Sequence, residues 1–72
     1  MEKITINTDF ITLGQVLKLM GLVSSGGEVK YFLKNNKVLI NNELENRRGK
    51  KIYPNDTITL LNTNYLIIKD EN

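Results

Sequence analysis

Ile4 and Ile6 alternate with Thr5, and a period of two over so short a run predicts a half-buried strand from Lys3 to Asn7. The period then changes. Leu13, Val16, Leu17 and Met20 stand at i, i+3, i+4 and i+7, which is one apolar face of a helix. Thr12 sits ahead of that face with Gln15 three residues on, the two halves of a capping box, and Ile11 and Val16 flank them as a hydrophobic staple. Gly21 stands where a left-handed residue would end the helix. Ser25 and Glu28 repeat the start signal for a second helix running to about Asn35, with Val29, Phe32 and Leu33 as its buried face. Asn35-Asn36 is expected to end it through asparagine's tolerance of left-handed backbone.

Beyond the helices the pattern reads as short strands. Val38, Leu39 and Ile40 predict a strand between Lys37 and Asn41, Asn41-Asn42-Glu43 a tight turn, and Leu44 a return to the core. Ile52 and Tyr53 resume the apolar pattern, and Pro54-Asn55-Asp56 is a turn with proline at its first central position. Thr57 to Leu60 alternates as another strand. Asn62-Thr63-Asn64 predicts a turn, and Tyr65 to Ile68 a last strand before an acidic end. The expected class is α+β: two N-terminal helices packed on a small, mostly antiparallel sheet, with one short strand ahead of them.

Composition narrows the chemistry. Seventy-two residues make one expected domain, 1–72, with a small core, and 40% apolar with 25% charged residues suits a folded chain. No cysteine or histidine is present, so the commonest metal ligands and the commonest general base are missing; no metal, cofactor or catalytic residue is expected. Glu43 and Glu45, the one conceivable pair of catalytic carboxylates, read as solubility charges. No apolar run is long enough to span a membrane, and the start of the chain lacks a secretory pattern, which points to the cytoplasm.

Charge is distributed unevenly. Between Lys30 and Lys51 there are seven cations against Glu43 and Glu45, a local +5 in a chain whose net charge is +2. Four of those cations surround one glycine in Asn46-Arg47-Arg48-Gly49-Lys50-Lys51. So close a cluster is either a solvated turn or a polyanion site, and Gly49 is expected to let the backbone turn through φ > 0. Lys30 and Lys34, one helical turn apart, share a face, and Lys37 follows at the helix end. Gly26-Gly27 is a poor nucleotide fingerprint; it either leaves the helix N-terminal N–H groups open to an anion or is a plain turn into the helix. Tyr31 and Tyr53 are expected to be partly buried packing rather than a base-stacking platform.

The run Ser25 to Asn42 resembles the core of the S4 RNA-binding domain, also called the alpha-L RNA-binding motif, through Ser25, Val29, Phe32-Leu33, Lys34, Val38, Ile40 and Asn41. Thr12 to Leu17 falls where that family's first helix begins, and Pro54-Asn55-Asp56-Thr57-Ile58 resembles its later strand start. The resemblance covers about 10–61. "ITLGQVLKL", "SGG" and "NRRGKK" together are similar to short stand-alone bacterial members of the family. An arginine usually follows the helix-opening serine; Gly26 stands there instead, and Asn42 replaces the turn glycine.

The resemblance implies a non-catalytic, monomeric RNA-binding protein whose partner is structured RNA, ribosomal RNA or a ribosome-assembly particle, with ribosomal proteins as neighbours. The residues expected to bind RNA are Ser25, Gly26, Gly27, Lys30, Lys34, Lys37, Asn46, Arg47, Arg48, Gly49, Lys50 and Lys51, with the loop of Arg47 to Lys51 standing in for the missing arginine. The alternative reading is a protein-interaction module that turns the same basic face to an acidic partner.

Overall fold

The computed structural model describes residues 1–70. Strand β1 (Glu2–Ile6) and the two-residue strand β2 (Ile11–Thr12) come first, followed by helices α1 (Leu13–Leu19) and α2 (Gly26–Asn35). Then come β3 (Leu39–Ile40), β4 (Glu43–Leu44), β5 (Lys51–Ile52), β6 (Thr57–Leu60) and β7 (Thr63–Lys69). The α+β class stands, with one correction: the helices do not open the chain, because two strands precede them. One of these, β1, belongs to the main sheet, whose order is β1-β7-β6-β3-β4. It lies parallel to β7, while the other pairings in that sheet are antiparallel. The acidic end expected from sequence continues through Glu71 and Asn72, which lie outside the described residues.

Helix α1 starts and stops as its residues dictate. Thr12 accepts from the Gln15 N–H while Gln15 Oε1 accepts from the Thr12 N–H, so two orphan donors are satisfied reciprocally. At the far end Gly21 takes φ +75°, with Gly21 N–H donating to Lys18 O and Leu22 N–H to Leu17 O. That is the Schellman pattern. Helix α2 departs from expectation at both ends. Ser25 caps Glu28 N–H, but the Glu28 carboxylate turns back one residue further, to the N–H and hydroxyl of Ser24. Asn36 ends the helix in extended backbone, φ −136°, rather than left-handed. The last turn is closed by side chains, Asn35 Nδ2 donating to Tyr31 O and Asn36 Nδ2 to Phe32 O.

The core lies between the helices and one face of the sheet. Leu13, Val16, Leu17, Val29, Leu33, Val38, Ile40, Ile52, Ile58, Leu60 and Ile67 are buried there together, with Ile4, Ile6 and Val23. Phe32 and Met20 are only half-buried against it. Leu44 does not return to the core: it is 68% exposed. The register explains why. Ile40 pairs with Ile58 on the inner face, so Leu39 and its partner Leu44 fall on the outer one.

Tight turns set that register. Asn41 and Asn42, both at positive φ, form the two-residue loop of the β3–β4 hairpin, a conformation asparagine reaches more easily than most residues. Asn41 also fixes the neighbouring turn, donating from Nδ2 to Asp56 and accepting on Oδ1 from Thr57 N–H. In that turn Asn55 has φ +79° and Asp56 N–H donates to Tyr53 O, a type II geometry with Pro54 at the first central position. The β6–β7 turn sits one residue earlier than expected, on Leu61 and Asn62, both at positive φ; Thr63 and Asn64 belong to β7.

Candidate nucleic-acid interface

The basic loop is held by its main chain. Leu13 and Gly14, whose N–H groups lack partners within the first turn of α1, donate to Lys50 O and Arg48 O, each at 2.9 Å. A β-carbon on Gly14 would lie 3.4 Å from Arg48 O and 3.5 Å from a methyl group of Val29, ordinary contact distances, so the loop packs closely here without requiring glycine. Lys51 then enters β5, which pairs with β2. Within the loop Lys50 N–H donates to Arg47 O across Arg48 and Gly49. Gly49 does not take positive φ, and a β-carbon on it would meet nothing within 4 Å, so the expected left-handed turn is absent. The four-residue turn closes with ordinary backbone instead.

The loop side chains diverge. Glu45 accepts from Asn46 N–H, Arg47 N–H, Arg47 Nε at 2.9 Å and Arg47 Nη2 at 3.1 Å. It is thus no mere solubility charge. The Arg47 guanidinium, the largest influence, together with the two backbone donors holds the Glu45 carboxyl down at about 2, and Arg47 is raised in return. Arg48 goes the other way, toward α2: a β-carbon built on Gly26 would lie 3.3 Å from Arg48 Nη1. A guanidinium therefore lies over the start of α2, where a side chain at position 26 would crowd it. Together with Lys18 and Gly49 these residues line a cleft of about 260 Å³ between the helices and the loop.

Ser25 and Gly27 lie at the same helix start, Ser25 occupied as the cap. Lys30 and Lys34 are exposed on α2, and a second cleft, about 410 Å³, brings Lys34 and Lys37 together with Asn46. Lys34 and Lys37 thus meet the start of the loop despite their separation in sequence, while Lys30 does not line that cleft. Lys50 and Lys51 line a different recess, beside Glu43, Glu45 and Tyr53. Tyr31, 71% exposed, is not the partly buried packing expected of it, whereas Tyr53, 48% exposed, is half-covered and packs against another ring. Sequence reasoning missed Phe10, whose ring lies 5.9 Å from that of Tyr53. The available signal was its position opposite Tyr53 once β2 and β5 are paired.

Among the described residues no three His, Cys, Asp or Glu side chains converge as a metal site, and no helix is long and apolar enough to cross a membrane. Comparison with known proteins supplies the family. The chain is 49% identical over 57 residues to the "Probable ribosome maturation protein RlbA" of Bacillus subtilis (strain 168), a match covering 79% of this chain and 80% of that protein. Residues 4–68 match the S4 domain, and on the strength of a match over nearly its whole length the chain belongs to the S4 domain family.

Proposed function

We infer that this protein is a non-catalytic binder of structured RNA, acting in the cytoplasm as a single 1–72 domain and a monomer, with ribosomal RNA or a ribosome-assembly particle as its target. The observation that carries the reading is Arg48 over the N-terminus of α2. There the helix dipole and the N–H groups of a glycine pair favour an anion, and the guanidinium adds a planar fork that matches phosphate. The resembled family usually carries an arginine at this helix start; here the loop delivers one from 22 positions further along the chain. Lys34, Lys37 and Asn46, which line one cleft, and Lys30, exposed on α2, would extend the surface with further phosphate contacts. Arg47, paired with Glu45, adds less than its sequence position suggests, and Lys50 and Lys51 serve the adjoining face. The ribosomal target is supported by the similarity to the Bacillus subtilis probable ribosome maturation protein.

Salt titration of binding to a structured RNA tests this. With about four phosphates engaged, the slope of log affinity against log salt should lie near −3, at about 0.7 per phosphate. Arg48→Ala should flatten it by about one unit with an unchanged melting temperature, since exposed charges add little stability. An unaltered slope and affinity would reduce the loop to a solvated turn. A purified protein free of nuclease-sensitive absorbance at 260 nm that captures an acidic protein instead would favour the interaction-module alternative.

A further inference from the structure

We propose that Phe10 and Tyr53 form a platform on which an unpaired RNA base stacks. The sequence alone left Tyr53 as a lone tyrosine; the fold gives it a partner. In the β2–β5 pairing Ile11 lies opposite Ile52 and Thr12 opposite Lys51. Continuing that register by one step sets Phe10 opposite Tyr53. Ile52 is fully buried, so the alternation of a pleated strand turns Lys51 and Tyr53 outward, with Phe10 beside them. The two rings sit 5.9 Å apart, tilted by 47°, and remain 37% and 48% exposed. At that tilt a base can lie parallel to one ring only, and Tyr53, the more exposed of the two and held by Phe10 packed beside it, offers that surface at little ordering cost.

The charges around the pair select the occupant. Lys51 Nζ lies 4.9 Å from the centre of the Phe10 ring and over its face, so the cation covers that ring, leaves Tyr53 as the open surface, and sets a positive charge beside it for a nucleotide's phosphate. Lys50 precedes it in the same strand approach. An apolar ring pair edged by cations, two residues beyond the basic loop, matches an unpaired nucleotide better than an apolar peptide. Bases within an A-form duplex keep their faces covered, so the platform would take a bulged or looped-out base beside a helix whose phosphates lie on α2 and Arg48.

This inference rests on the RNA-binding reading, and the test separates the two. Fluorescence anisotropy should be measured on one RNA hairpin carrying a single bulged adenosine and on the same hairpin with an abasic residue at the bulge. The native protein should prefer the adenosine by about tenfold. Tyr53→Leu should erase that preference while leaving affinity for the abasic hairpin unchanged, and adenosine binding should move the ring-proton resonances of Phe10 and Tyr53 upfield. Equal affinity of the native protein for both hairpins overturns the platform while the phosphate surface stands. Failure to bind either hairpin overturns both.

Discussion

Replacing Glu45 with glutamine removes a charge that organises the basic loop from beneath. The carboxylate accepts two backbone N–H groups and two guanidinium N–H groups, and its side chain is 11% exposed against 70% for Arg47. Its pKa is held at about 2 rather than 4.5. At 1.36 kcal/mol per pH unit that gap sets a ceiling of about 3 kcal/mol. Solvent screening around the exposed Arg47 side lowers the expected contribution to about 1 kcal/mol. Because the pKa is depressed in the folded state, the contribution is complete above pH 4.5 and is lost as pH falls toward 2. Thermal melts of the native protein and Glu45→Gln should therefore differ by about 4 to 8 °C at pH 7 and converge near pH 2. A variant that melts with the native protein at pH 7, or a difference that persists unchanged at pH 2, would refute the assignment of that stability to the ionised Glu45.

Three further outcomes follow from burial and backbone geometry. Phe32→Ala should cost about 2 kcal/mol by denaturant melts, because the ring is half-buried, whereas Leu17→Ala in the sealed core should cost about 3 to 5 kcal/mol. Leu61→Gly should leave the melting temperature within about 3 °C of the native value in thermal melts, since the roughly 1 kcal/mol of strain relieved at φ +49° is largely offset by the freedom glycine adds to the unfolded chain. Gly21→Ala, at φ +75°, should destabilise by about 1 kcal/mol, while Gly49→Ala should leave stability within about 0.5 kcal/mol because neither its backbone nor its surroundings require glycine.

Features written in local sequence were legible. The Thr12–Gln15 box, the Gly21 terminus, the Asn41–Asn42 hairpin and the Pro54 turn each depend on residues within a few positions of one another, and each is in the fold. What escaped reading depends on neighbours distant in sequence or on strands too short to show a period. Two-residue strands cannot display alternation, so Leu44 could not be told from a core residue. The commitment of Arg47 to Glu45 skips a single residue, a spacing that shares a face only in a strand, and residues 45–47 lie in none. The convergence of Arg48 on Gly26 needs the fold itself. The same holds for Phe10 beside Tyr53, 43 positions apart.

Strand β1 joins the sheet through β7 alone, Ile4 opposite Ile67, and this parallel pairing spans 63 positions. Ile4 and Ile6 have no sheet to enter until β7 has emerged. At about 5 to 20 residues per second the early strand waits several seconds, its apolar face uncovered, for a partner 63 positions further along. Closing so long a loop is also the slow part of the search once the whole chain is free. The sheet is therefore completed only once β7 has been made, so the first strand synthesised is secured by the last strand of the sheet.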